Sequence, residues 1–203
     1  MSLSWDKAKG GSDEWQTKPN AVKPILEFIP TGSTVWCPFD TTDSAFYKLL
    51  IEHGCYVVAT HINRGEDFFT TYRACDYIVS NPPFSKKTDV LKRLYAIGKP
   101  FAMLIGIDGV FENRERVALY EQYGVQMLYL NPRVSYIDPF GKKGGSPPFQ
   151  SGYICWKVLP NDIVFRTIEK EPEEQITGQL SMLNDVGEQL SLEDLIHGTN
   201  VAI

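Results

Sequence analysis

Apolar positions along the chain switch between helical and strand spacing, and the switches predict a series of alternating elements. Residues 19–29 carry a helical pattern that ends at Pro30-Thr31-Gly32, and Thr34-Val35-Trp36-Cys37 is a short apolar run of strand type. Ala45, Phe46, Leu49 and Leu50 share one face of a helix expected over 43–53, with Gly54 at its carboxyl end. A second strand is read over 56–62 and a third over 77–80. The next helix is expected to start from Ser85, a suitable N-cap, and to stop before Gly98 and Pro100. A strand over 101–107, a helix over 112–123 and strands over 125–130 and 152–159 complete the series.

Strands that alternate with helices predict an α/β fold with a mostly parallel sheet, right-handed crossovers and helices on both faces. Residues 131–151 break the alternation: they are rich in Pro and Gly and hold no helical pattern. The last strand is therefore expected to run antiparallel. The domain is drawn over 19–160. Residues 161–203 read as an acidic appendage, partly disordered or helical, with one helix near 191–196.

Asn81-Pro82-Pro83-Phe84 follows the third strand directly. A rigid polar-Pro-Pro-aromatic turn at the carboxyl end of a strand sits where open α/β sheets place their chemistry. Asn81 offers a side-chain carbonyl and Pro82 a backbone carbonyl, two acceptors suited to a planar group that carries an NH2. Both prolines have a fixed φ and no N–H that would compete for those acceptors. Phe84 can lie face-on against a ring. Asn-Pro turns also end strands with no function attached.

Charge and cysteine usage narrow the class. The net charge of -5 over 203 residues arises in the tail: 162–203 carry nine acidic and two basic side chains, whereas 1–161 carry 18 basic and 16 acidic. The balance is thus compatible with a nucleic-acid substrate. Lys86, Lys87, Lys142 and Lys143 are candidate phosphate contacts, although solvated surface positions explain them as well. Cys37, Cys55, Cys75 and Cys155 stand singly, which suggests buried thiols in a reducing, cytoplasmic compartment; with His53, His61 and His197 they show no metal-ligand spacing. No apolar run reaches the length of a membrane span, and the first residues lack the apolar core of a secretory signal. Neither GxGxxG nor GxxxxGK[ST] is present, which disfavours dehydrogenase and nucleotide-hydrolase readings.

These segments, taken in order, resemble the S-adenosylmethionine-dependent amino-methyltransferases with an NPPF motif, above all the small phage-type N6-adenine DNA methyltransferases. The resemblance covers roughly residues 12–159. It implies a Rossmann-like methyltransferase fold, a seven-stranded mostly parallel sheet with one antiparallel strand. It also implies S-adenosyl-L-methionine as cofactor and an N-terminal arm, 1–18, that contributes Trp15 and Thr17 to the cofactor site. Pro38, Phe39, Asp40, Thr41, Thr42 and Ser44 fall where the family has its first-strand cofactor loop. His61 stands at the end of the second strand, and Asp67 and Phe68 match the adenine-binding stretch. Asn81, Pro82, Pro83 and Phe84 match the catalytic tetrapeptide, while Arg133, Phe140 and Phe149, with the four lysines, fall on the nucleic-acid side. Two positions depart from the family pattern. The loop has hydroxyls in place of glycines, and Thr60-His61 replace the acid that bonds the ribose.

The chemistry implied is methyl transfer to an exocyclic NH2. Two acceptors localise the amine lone pair and stabilise the positive charge that develops on it, so no histidine or dedicated base is required. Adenine N6 in DNA is the first expectation, with the base flipped out onto Phe84. Guanine N2 or adenine N6 in RNA, and a protein glutamine amide, present the same planar NH2. A catalytically degenerate binding module on the same fold is the alternative from another class.

Overall fold

The computed structural model describes residues 16–137 and 149–169, all within one compact unit, 1–170. Its elements in chain order are β1 (Gln16–Thr17), α1 (Pro19–Leu26), β2 (Thr34–Cys37), α2 (Ala45–Glu52), β3 (Tyr56–Ala59), β4 (Tyr77–Ser80), α3 (Lys87–Ile97), β5 (Phe101–Gly106), α4 (Arg114–Tyr123), β6 (Gln126–Asn131), β7 (Tyr136–Ile137), β8 (Ser151–Trp156) and β9 (Ile163–Thr167). Seven of the strands form one sheet in the order β3-β2-β4-β5-β8-β6-β9. β8 pairs antiparallel with both β5 and β6, while every other pairing in this sheet is parallel. The sheet is thus mostly parallel with one antiparallel strand, as expected.

Side chains of successive strand residues point to opposite faces, and each face has its own core. Val35, Cys37, Val79, Ala102 and Leu104 meet Val22 and Ile25 of α1 and Phe46 and Leu50 of α2. Trp36, Ile78, Phe101, Met103 and Ile105 meet Val90, Leu91 and Leu94 of α3 and Tyr120 of α4. β5 lies inside the sheet and is buried along its whole length, which explains its unbroken apolar run. The four cysteines are buried and free; burial pushes the Cys75 thiol up to about 11 and the Cys37 and Cys155 thiols well above their usual range. Among the described residues, no helix is long and apolar enough to cross a membrane.

The structure corrects several boundaries. The sheet does not stop at residue 160: β9 pairs in parallel with β6, from Met127↔Ile163 to Asn131↔Thr167. Val164 and Ile168 of that segment are buried in the core, and Arg166 pairs with Glu27 of the loop after α1. The division drawn between 160 and 161 therefore falls inside the sheet-forming chain. The Ile163-Val164-Phe165 run is too short to stand out as a strand within an acidic segment. The helix expected near 191–196 lies outside the described residues. β1 and β7 pair antiparallel, and two-residue strands have no periodicity to read.

Helix starts differ as well. The cap of α2 is Ser44, whose Oγ accepts the Tyr47 N–H at 3.1 Å, so Asp43 lies before the helix. Ser85 does not cap α3: Phe84–Lys86 form a 3-10 turn, and α3 starts from Lys86 with no side-chain cap. β3 ends at Ala59, and His61 caps a further 3-10 turn, Ile62–Arg64.

Candidate active site

In a parallel sheet the carboxyl ends of the strands share one edge, and loops that follow them meet there. Here that edge gathers residues 38–44 after β2, Thr60 and His61 after β3, Asn81 to Phe84 after β4, and Gly106 at the end of β5. The small β1–β7 pair extends the group, since Thr17 stands opposite Tyr136 and the Tyr136 ring lies 6.0 Å, edge-on, from Phe84.

The loop after β2 and the turn after β4 are joined by one buried hydroxyl. Ser80, the last residue of β4, donates from Oγ to the Asp40 carboxylate and accepts the Phe39 N–H at 3.3 Å. Asp40 is 7% exposed and Ser80 fully buried. Burial raises the Asp40 pKa from 3.8 to about 6, and hydrogen bonds from Ser80 and Ser44 hold it back from going further. The Cys37 thiol at the end of β2 and the Tyr153 phenol of β8 have pKa values raised by burial, and the Asp40 charge adds to each.

An aromatic layer borders this loop. Phe68 is 2% exposed, with ring centroids 4.8 Å from Phe39, 5.6 Å from Trp36 and 5.5 Å from Phe69. The Arg93 guanidinium covers it at 5.4 Å. Phe68 is therefore packed into the core as the floor of this layer. Phe39 and Phe69 are the half-buried rings beside it. Phe68 and Phe69 are adjacent in sequence, yet the turn between them sends one into the core and leaves the other half-buried. Asp67 closes that turn by accepting the Phe69 N–H at 3.0 Å.

The end of β3 is occupied by structural bonds. The Thr60 hydroxyl accepts the buried Trp36 Nε1–H at 2.9 Å, and His61 Nδ1 accepts the Asn63 N–H at 3.2 Å. Thr41 Oγ1 accepts the Asp43 N–H at 3.4 Å, and Thr42 is exposed next to it.

On the far side of the turn, Phe84 and Phe149 meet edge-on at 5.2 Å. Lys87 is half-buried between them, with Nζ donating to the Gly106 carbonyl at 2.9 Å and lying 6.0 Å and 5.7 Å from the two ring centroids. Lys87 is thus tied to the carboxyl end of β5, unlike a fully solvated side chain. Lys86 is exposed, with its ammonium 5.4 Å from the Phe69 centroid, and Arg133 is exposed beyond the carboxyl end of β6. Burial raises the Tyr136 hydroxyl far above its usual range, offset in part by Ser151. Trp15, Phe140, Lys142 and Lys143 lie outside the described residues. Among the described residues, no three His, Cys, Asp or Glu side chains cluster as metal ligands.

No protein-family model and no curated protein sequence matches the chain. Solved structures do. The modification subunit of a putative type I restriction enzyme from Vibrio vulnificus YJ016 aligns over 91% of this chain and 55% of its own, at 12% identity and a TM-score of 0.51. The type I restriction-modification system methyltransferase subunit from Streptococcus thermophilus aligns over 88% and 54%, at 11% identity and a TM-score of 0.44. The release factor-specific protein-(glutamine-N5) methyltransferase from Alicyclobacillus acidocaldarius aligns over 68% and 93%, at 16% identity and a TM-score of 0.34. The chain spans about half the length of the first two. The strand order is that of a Rossmann-like α/β sheet, and the first alignment shows that the chain shares the fold of that modification subunit.

Proposed function

We propose that this chain is an S-adenosylmethionine-dependent amino-methyltransferase whose target is the N6 amine of adenine in DNA. The observation that carries the reading is the placement of Asn81. It is the first residue beyond β4, and Ser80 beside it is bonded to Asp40 of the loop after β2. An amine acceptor and a candidate cofactor loop are thereby fixed as one unit. The resemblance of the ordered motifs to N6-adenine methyltransferases supports the substrate, and so does the likeness to the Vibrio vulnificus modification subunit of a putative type I restriction enzyme.

The residues present fit two ends of the cofactor. Thr41 and Thr42 offer hydroxyls ahead of α2, Asp40 offers a carboxylate, and Phe39 and Phe69 offer half-buried rings for an adenine. The ribose finds no carboxylate at the end of β3, because the place is taken by Thr60 and His61. When bound, the cofactor supplies an electrophilic methyl group on sulfonium.

The rest of the chemistry belongs to the turn. Asn81 Oδ1 and the Pro82 carbonyl accept the two N–H groups of the target amine and raise the availability of its lone pair. The same dipoles stabilise the charge that grows on nitrogen, and they are already oriented before the reaction begins. Phe84 supports the ring plane, and exclusion of water comes from the buried strand ends beneath it.

The test is transfer of labelled methyl groups to unmethylated DNA, ribosomal RNA and protein. N6-methyladenine in DNA is the expected product, with binding that weakens steeply as salt rises. Label confined to guanine N2 of RNA or to glutamine would move the substrate. Cofactor binding without transfer to any of them would leave a binding module, and no binding at millimolar cofactor would overturn the reading.

A further inference from the structure

Lys87 occupies an unusual position for a helix-start lysine. An ammonium in the first turn opposes the helix dipole, so α3 itself does not favour a cation there. Its neighbour Lys86 is exposed, in keeping with a solvated charge, whereas Lys87 turns inward to the carbonyl of Gly106. Gly106 is what makes the room: a Cβ at that position would stand 2.7 Å from the Phe149 ring and 3.4 Å from Lys87 Nζ. β5 adjoins β4 in the sheet, with Ser80 opposite Met103, so Gly106 reaches past the level at which Asn81 leaves β4. A donor cation, two phenyl rings and the Asn81 turn therefore converge at the carboxyl ends of two adjacent strands.

We propose that Lys87 reads the target base, its ammonium donating a hydrogen bond to a ring nitrogen or ring carbonyl of the nucleobase whose amine Asn81 accepts. The inference rests on the methyltransferase reading above and narrows its substrate to an aromatic nitrogenous base. A lysine ammonium carries three N–H donors and no acceptor, so it selects an acceptor atom on the base edge. Phe84 and Phe149 supply apolar contact for a ring, which an extended amide side chain would use poorly. Asn81 and Lys87 together present an acceptor and a donor, complementary to an amine beside a ring nitrogen.

The experiment uses the full chain with DNA oligonucleotides in which adenine N1, N3 or N7 is replaced by carbon, one at a time. Equilibrium binding and turnover are both read, for the parent chain, Lys87→Met and Lys86→Met. One of the three replacements should lower kcat/KM and binding of the parent by about 10- to 100-fold, as expected for loss of a charged hydrogen bond. Lys87→Met should show the same loss on natural DNA and no additional loss on that one oligonucleotide. Its salt dependence should match the parent, whereas a lysine lost from a phosphate changes the slope by roughly 0.7–0.9. Lys86→Met should leave discrimination among the oligonucleotides intact. Equal losses by Lys87→Met on all oligonucleotides, or a reduced salt slope with unchanged discrimination, would overturn the assignment. A parent chain that methylates DNA but treats all oligonucleotides alike would overturn it too, while leaving the methyltransferase reading in place. Failure to bind or methylate any of them would sink both.

Discussion

The hydroxyl of Ser80 joins Asp40 to the turn that begins at Asn81: it donates to the Asp40 carboxylate and accepts the Phe39 N–H at 3.3 Å. The bond spans 40 residues of sequence and fixes two loops against one another at the residue preceding Asn81. It also places a carboxyl group where water scarcely reaches it.

That burial has a pH signature. The folded pKa of Asp40 is raised from 3.8 to about 6, so the folded state holds its proton more tightly than the unfolded chain does. The stabilising contribution of the protonated group is complete below about 3.8 and is lost as pH rises through about 6. Asp40→Asn removes this titration and keeps an acceptor for Ser80. The variant should be more stable than the parent at pH 8, by about 3 kcal/mol at most, from the shift at about 1.4 kcal/mol per pH unit. The difference should shrink towards zero near pH 4. Urea unfolding at several pH values measures it, and a pH-independent difference would contradict the assignment.

Asn81→Ala should lower the rate constant for methyl transfer by about 10²–10³, the effect of losing one preoriented polar group. Cofactor affinity should barely change. Asn81→Asp should retain appreciable activity because a carboxylate keeps the acceptor. Single-turnover kinetics with calorimetric cofactor binding separates the two effects.

Thr60→Val should destabilise the fold by about 1–3 kcal/mol, since the buried Trp36 Nε1–H would lose its acceptor while the volume is unchanged. Denaturant midpoints measure this. A neutral result would mean that the indole finds another partner.

Two glycines should respond differently to alanine. A Cβ at Gly152 would stand 2.9 Å from the Leu128 carbonyl of the adjacent strand, where only backbone movement relieves the clash. A Cβ at Gly106 would press on the Phe149 ring, a side chain that can turn. Gly152→Ala should therefore cost about 1–3 kcal/mol of stability. Gly106→Ala should cost less in melting temperature and more in KM for the nucleic acid.

Much of the architecture was legible in the chain. Runs such as Thr34–Cys37 and Tyr77–Ser80 appear in the structure with those bounds, because an apolar stretch this short and buried has only a strand to form. The Pro- and Gly-rich stretch after β6 correctly signalled that β8 returns antiparallel. The Asn81 turn was legible for the same reason: prolines fix backbone locally, whatever surrounds them.

Other features depend on partners distant in sequence. Phe68 and Phe69 are adjacent and chemically identical, yet one is buried under Trp36 and Arg93 and the other is half-buried beside Lys86. Lys86 and Lys87 form the same kind of pair, separated by the turn that ends before α3. β9 joins the sheet only because β6 offers it an edge, and β1 finds β7 more than a hundred residues away. Sequence determined the local elements and the position of the turn after β4, because propensity and proline geometry act over a few residues. Tertiary structure alone decided the Asp40–Ser80 bond, the burial of Phe68 and the inward turn of Lys87. Those depend on which strands lie side by side, and a hydrogen bond across 40 residues leaves no periodic trace in the chain.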